Sequence, residues 1–190
     1  MFTGIIKHTG KIKSLSPRKM SIETGLKVEP GESVAVDGVC LTVVEQRGRF
    51  LSFDLLPQTW EITAFKYRKP GDVVNLELPA TASTFLSGHI VQGHVDGIGT
   101  VTRVRPLGNS LMVFFSAPGD VVKYLVNKGS VAVNGVSLTV SEITEEGFIV
   151  ELIPETQKRT NLGQLRPGYR VNLEADIIGK YVFAFLERKK

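Results

Sequence analysis

The chain has 190 residues, a formal net charge of +4, 42% hydrophobic and 22% charged residues. That balance suits a soluble globular protein of one large domain or two small ones. No run of about 18 apolar residues occurs, so no transmembrane helix is expected. The opening Met1-Phe2-Thr3-Gly4-Ile5-Ile6-Lys7-His8 lacks the layout of a secretory signal, so a cytoplasmic location is expected. Cys40, the single cysteine, cannot close an internal disulfide. Basic residues are scattered apart from Lys66-Tyr67-Arg68-Lys69 and Arg188-Lys189-Lys190. This reads as a mildly basic solvated surface, with neither nucleic acid nor membrane as a partner.

In chain order, Ser33-Val34-Ala35-Val36 reads as a strand ending at an Asp37-Gly38 turn, and Phe50 to Leu55 and Val73 to Leu78 read as further strands. Pro118 to Val126 departs from this pattern. Its apolar residues at 121, 122, 125 and 126 have helical spacing, with Pro118 at the first turn and Gly129 past the end. A C-terminal helix is expected from Ile177. Ile177, Tyr181 and Phe185 form one i, i+4, i+8 stripe, and Ile178, Val182 and Leu186 another. The combined face is wide for a helix that only docks on its own domain, which favours packing between subunits.

The strands belong to a repeat. Asp37-Gly38-Val39-Cys40-Leu41-Thr42-Val43 returns as Asn134-Gly135-Val136-Ser137-Leu138-Thr139-Val140, an offset of 97 (137 − 40). Leu56-Pro57-Gln58-Thr59 returns as Ile153-Pro154-Glu155-Thr156, and Pro70-Gly71 with Asn75-Leu76-Glu77 as Pro167-Gly168 with Asn172-Leu173-Glu174, at the same offset. Phe2-Thr3-Gly4-Ile5-Ile6 instead matches Val91-Gln92-Gly93-His94-Val95 at an offset of 89 (93 − 4). The second half therefore carries extra residues between these blocks, and Pro118 to Val126 is the candidate. Six or so strands per half point to two small antiparallel barrels, because closure removes exposed sheet edges.

Chemistry concentrates in Gly88-His89-Ile90-Val91-Gln92-Gly93-His94-Val95-Asp96-Gly97. On a strand, histidines five apart face opposite sides. Only His8 is left to join them, so the three or four ligands of a zinc site are not in view and no metal is expected. Glycines beside each histidine would admit a flat ligand or another backbone. Cys40 and Ser137 are equivalent, and Thr42 and Thr139 would present hydroxyls on the same faces. No nucleophile elbow, P-loop or dinucleotide fingerprint is present.

Jointly these motifs, with the tail Asp176-Ile177-Ile178-Gly179-Lys180-Tyr181, resemble the riboflavin synthase family over essentially the whole chain. The resemblance implies an all-β fold of tandem duplicated six-stranded antiparallel β-barrels with short helices and a C-terminal oligomerisation helix. Residues 1–88 would form the first barrel, 89–176 the second and 177–190 the helix. It implies a homotrimer, with lumazine synthase a possible associate. The reaction would be dismutation of two molecules of 6,7-dimethyl-8-ribityllumazine to riboflavin and 5-amino-6-(ribitylamino)uracil by four-carbon transfer, with no cofactor or metal. The alternative is a non-catalytic lumazine- or flavin-binding antenna protein.

Carried over by position, Gly4, Ile5, Ile6, Cys40, Leu41, Thr42, Asp54, Leu55, Leu56, Pro57, Gln58 and Thr59 would line the pocket of the first barrel. Gly93, His94, Val95, Lys128, Ser137, Leu138, Thr139, Glu151, Leu152, Ile153, Pro154, Glu155 and Thr156 would line that of the second. Phe2 would pack near the rings. His94 would assist proton transfer at the C7 methyl of one lumazine. Ser33, Cys40 or water would add to the other or hydrogen-bond it, and Ser137 would support the donor. Asn134 and Gln58 depart from the family pattern, where Asp and Glu are more usual.

Overall fold

A computed structural model describes residues 1–188. Lys189 and Lys190, the end of the expected C-terminal helix and of its basic run, lie outside the described residues. The first half forms β1 (His8–Leu15), β2 (Lys19–Glu23), β3 (Ser33–Val36), β4 (Val39–Arg47), β5 (Phe50–Asp54), α1 (Pro57–Ile62) and β6 (Val73–Glu77). The second forms β7 (Gly97–Leu107), β8 (Ser110–Ser116), α2 (Gly119–Val122), β9 (Ser130–Val133), β10 (Val136–Thr144), β11 (Gly147–Leu152), α3 (Pro154–Arg159) and β12 (Arg170–Ala175). A C-terminal helix, α4 (Ile177–Glu187), follows.

Each half closes into a six-stranded antiparallel barrel. The strand orders β1-β2-β5-β4-β3-β6 and β7-β8-β11-β10-β9-β12 are the same circuit. Bulges that help bend small sheets into closure recur at equivalent places, between Val43 and Glu45 and between Val140 and Glu142. Alternating side chains fill two separate cores. Val34, Val36, Leu41, Val43 and Phe53 lie in the first, and Val131, Val133, Leu138, Val140 and Val150 in the second.

The barrels meet where the hairpin turns Asp37-Gly38 and Asn134-Gly135 abut. All four residues have left-handed backbone, as a two-residue hairpin turn demands. At these turns the interface is polar and buried. Asn75 Nδ2 donates to the Asn134 carbonyl at 2.9 Å, and Asn172 Nδ2 donates to the Asp37 carbonyl at 2.8 Å. One side carries charge: buried Asp37 pairs with buried Arg68 at 3.3 Å. The equivalent positions, Asn134 and Leu165, are neutral, so both members of the pair change together. Burial pushes the Asp37 carboxyl up, opposed by Arg68. Arg68 is thereby removed from the basic run that the sequence placed on the surface.

Two helices differ from expectation in extent. The segment from Pro118 forms only one turn, α2, followed by turns, with Val121 and Leu125 buried and Val126 exposed. Beyond these turns Lys128 adopts φ 65° and its N–H donates to the Val140 carbonyl as the chain turns into β9. Helix α4 is capped by Asp176, which accepts from the Ile178 N–H. One face docks on its own barrel through Lys180–Asp96 at 2.6 Å and the edge-on Tyr124–Phe183 ring pair. The rest of its apolar surface, Ile178, Tyr181, Val182, Phe185 and Leu186, is more than half exposed.

Candidate functional site

Strand alternation sets Ser33, Ala35, Cys40 and Thr42 on the outer face of the first barrel, with Ser33 opposite Thr42 and Ala35 opposite Cys40. The second barrel repeats this with Ser130 opposite Thr139 and Ala132 opposite Ser137. The registers Val43 to Phe53 and Val140 to Val150 bring the chain leaving β5 and β11 to the same ends as Cys40 and Ser137. There Leu56 and Ile153 stand 70% and 57% exposed just ahead of α1 and α3.

Two short segments complete these faces, and they are exchanged. Phe2 and Val91 bridge each other, the Phe2 N–H donating to the Val91 carbonyl at 2.7 Å and the reverse at 3.1 Å. From that bridge each segment crosses to the other half's barrel. The Ser137 N–H donates to the Gly4 carbonyl at 2.8 Å, and the Cys40 N–H donates to the Gly93 carbonyl at 2.9 Å. Ile6 is buried in the second core and Val95 in the first. Gly4 (φ +75°) and Gly93 (φ +83°) are required twice over. Each has left-handed backbone, and a Cβ there would lie 2.6 Å from the Cβ of Ser137 or Cys40.

The packing is therefore crossed relative to the grouping expected from the repeat: Gly4 and Ile6 pack on the barrel of Ser137, and Gly93 and Val95 on that of Cys40. A repeat shows which residues are equivalent but not which copy a segment packs on. It also resolves the glycines beside the histidines: Gly88 and Gly93 admit protein chain, since a Cβ on Gly88 would lie 2.1 Å from the Thr3 carbonyl.

Several expected wall residues are core instead. Phe2 is 1% exposed, sealed with Val91, Ala35 and Ala132 between the barrels. Leu41, Leu55, Leu138 and Leu152 are buried in the barrel cores, so their side chains do not reach the outer faces. Thr42, Thr139, Ile5, His94, Asp54, Pro57, Gln58, Glu151, Pro154 and Glu155 are exposed, and Ser33, Cys40, Ser137, Thr59 and Thr156 are half-buried. Glu155 is engaged by Arg159 one helical turn on.

One residue was passed over. His89 is buried, and its Nδ1 lies 2.7 Å from the Ser137 hydroxyl while its Nε2 has no hydrogen-bond partner among the described residues. Burial holds the His89 imidazole below its usual range, opposed by Asp176. The sequence signal was Gly88-His89 itself. The two histidines have unrelated surroundings, His89 buried beside Ser137 and His94 exposed.

Lys128 is informative for a different reason. The equivalent residue is Gly31, also left-handed at φ 93°. A lysine held at φ 65° carries a backbone cost of about 1 kcal/mol that glycine would not.

The outer faces are open rather than enclosed. A cleft of about 270 Å³ beside Ile5, lined by Thr3, Leu76, Glu77 and Leu78 among others, includes neither Cys40 nor Ser137.

The model of the lumazine-binding domain matches residues 3–79 and again 92–176. The chain belongs to the lumazine-binding domain family. Riboflavin synthase of Photobacterium phosphoreum is 37% identical, covering 96% of this chain and 87% of that protein. Riboflavin synthase of Escherichia coli is 38% identical, covering 99% and 92%. Crystal structures of LumP superpose closely. The complex with riboflavin has a TM-score of 0.83 at 28% identity, and that with 6,7-dimethyl-8-(1'-D-ribityl) lumazine 0.81 at 29%, each covering 92% of this chain and 99% of LumP. The duplicated barrels and the likeness to riboflavin synthase read from the motifs agree with these matches.

Proposed function

We propose that the protein is a riboflavin synthase, a transferase that dismutates two 6,7-dimethyl-8-ribityllumazine molecules to riboflavin and 5-amino-6-(ribitylamino)uracil. One observation carries this reading: two faces with the same backbone frame present different reactive groups. A reaction between two copies of one molecule needs two like pockets, and the unlike fates of the copies need unlike side chains. Holding both in register makes the encounter effectively intramolecular, worth up to roughly 7–11 kcal/mol of barrier.

In this reading the Cys40 face binds one lumazine. Ser33, Thr42 and backbone amides meet its pyrimidine edge or ribityl chain, and His94 moves the proton at the C7 methyl. The Ser137 face binds the other, with Thr139 and Ile5 as walls. The bond from His89 fixes the Ser137 hydroxyl, and Lys128 offers a cation. The chemistry assigned to these residues needs neither metal nor redox cofactor.

The assembly in this reading is a homotrimer, closing each open face against a neighbour. The exposed apolar surface of α4 supports it. Removal of residues 177–190 then lowers the subunit number in sedimentation velocity, and an unchanged assembly rejects α4 as the contact.

The structural likeness to LumP supports a second reading, an antenna protein that binds without turnover. Retention of His94 and the His89–Ser137 pair supports the enzyme. Purified protein mixed with 6,7-dimethyl-8-ribityllumazine, without metal or cofactor, should form riboflavin, followed by absorbance. Bound lumazine with no riboflavin decides for the antenna.

A further inference from the structure

We propose that Glu77 and Glu174 are positioning residues: each clasps the chain segment that crosses to the other barrel, so that each pocket is built on one barrel and held in register by the other. This deepens the riboflavin synthase reading and rests on it only for its turnover readout.

Glu77 lies on β6 of the first barrel and is 8% exposed. Its Oε1 accepts the Thr3 N–H at 2.8 Å and the Thr3 hydroxyl at 2.7 Å, and its Oε2 accepts the Gly4 N–H at 3.1 Å. Glu174 is its repeat equivalent on β12 and is 3% exposed. It accepts the Gln92 N–H at 2.6 Å, the Gly93 N–H at 2.9 Å and the His94 N–H at 3.0 Å. Successive backbone N–H groups converging on one carboxylate form an anion nest, and bonds to an ionised acceptor are the strong ones. Burying a carboxylate is costly, and burial alone pushes both groups upward. The converging donors oppose that rise, and the net direction for both carboxyls remains upward.

The consequence is crosswise. Glu77 belongs to the barrel that carries Cys40, yet it holds the segment lying on Ser137. Glu174 belongs to the barrel that carries Ser137, yet it fixes Gly93 over Cys40 and sets where the His94 side chain leaves the backbone. Gln in place of Glu keeps the shape but turns one acceptor into a donor facing N–H groups. Asp keeps the charge one methylene short.

Cys40 gives a readout that needs no turnover, because it is the only thiol and Gly93 lies against its Cβ. In the full-length protein, reaction of Cys40 with a chromogenic disulfide should be slow. Glu174→Gln, with fold retained by circular dichroism and a cooperative melt, should speed it by roughly tenfold or more, the loss of one charge-assisted bond. Glu174→Asp, which keeps the charge one methylene short, should speed it less, by about two- to fourfold. Glu77→Gln should leave the Cys40 rate within about twofold while lowering kcat/KM by roughly tenfold. A folded Glu174→Gln with an unchanged thiol rate overturns the clasp, as does a Glu77→Gln that exposes Cys40 equally. Should Glu174→Gln not fold, Glu174→Asp decides: acceleration of about twofold or more supports the clasp, and a rate equal to wild type overturns it. A wild type that forms no riboflavin rejects the proposed function without touching the thiol result.

Discussion

Around Cys40 the outer face carries a thiol and the hydroxyl of Thr42, and the residue after the covering Gly93 is His94. Around Ser137 the same positions carry a hydroxyl and the hydroxyl of Thr139, and the residue after the covering Gly4 is Ile5. The Ser137 face adds His89, bonded to the serine at 2.7 Å, and Lys128 stands where the first half has Gly31. The backbone beneath is matched bond for bond: Gly4 to Ser137 at 2.8 Å, Gly93 to Cys40 at 2.9 Å. The difference teaches that duplication supplied a common frame, and divergence at a handful of side chains then gave each face its own chemistry.

The comparison breaks most visibly at positions 94 and 5. If His94 transfers protons, His94→Ala should lower kcat by about 10²–10⁴. Ile5→Ala, at the equivalent position, removes only wall contacts and should cost about tenfold in kcat/KM. Equal losses in steady-state assays would show that position 94, like position 5, serves only as a wall.

A smaller effect is expected at Lys128. Lys128→Gly relieves the left-handed backbone and should raise stability by about 0.5–1 kcal/mol in urea denaturation while lowering kcat/KM. A variant that gains stability and keeps full activity would leave the strained lysine without a functional reason.

The smallest effect is a pH dependence at His89. Burial depresses its pKa below the usual 6.5. The unfolded chain therefore binds this proton more readily, so the stability contributed by neutral His89 is present above pH 6.5 and is lost as pH falls through the lower folded value. The melting temperature of wild type relative to His89→Gln should drop on acidification below pH 6.5 by a few degrees, since about 1 kcal/mol moves Tm by about 2–4 °C at this size. A difference that grows toward acid would mean that the imidazole is protonated in the folded state.

Much of this was legible in the sequence. Offsets of 97 and 89 exposed two copies, strand-period residues gave the barrels, and the helical stripe gave α4. Even the burial of Leu41 and Leu138 follows from the sequence, because each sits between residues of the opposite face in a period-two strand. The exchange of Gly4 and Gly93 between barrels did not follow, since it depends on which copy closes a pocket, and equivalence is silent on that. Phe2 was misplaced for the same reason: its burial arises from the bridge to Val91, 89 positions away in the chain. His89 needed three-dimensional proximity to Ser137 before its role could be seen.

The central claim is that two unlike faces act together on two copies of one molecule. It is tested most directly by incubating the pure protein with a known amount of 6,7-dimethyl-8-ribityllumazine and quantifying both products. One riboflavin and one 5-amino-6-(ribitylamino)uracil should form for every two lumazines consumed, with no added metal or cofactor. Lumazine that binds and is recovered unchanged would contradict it.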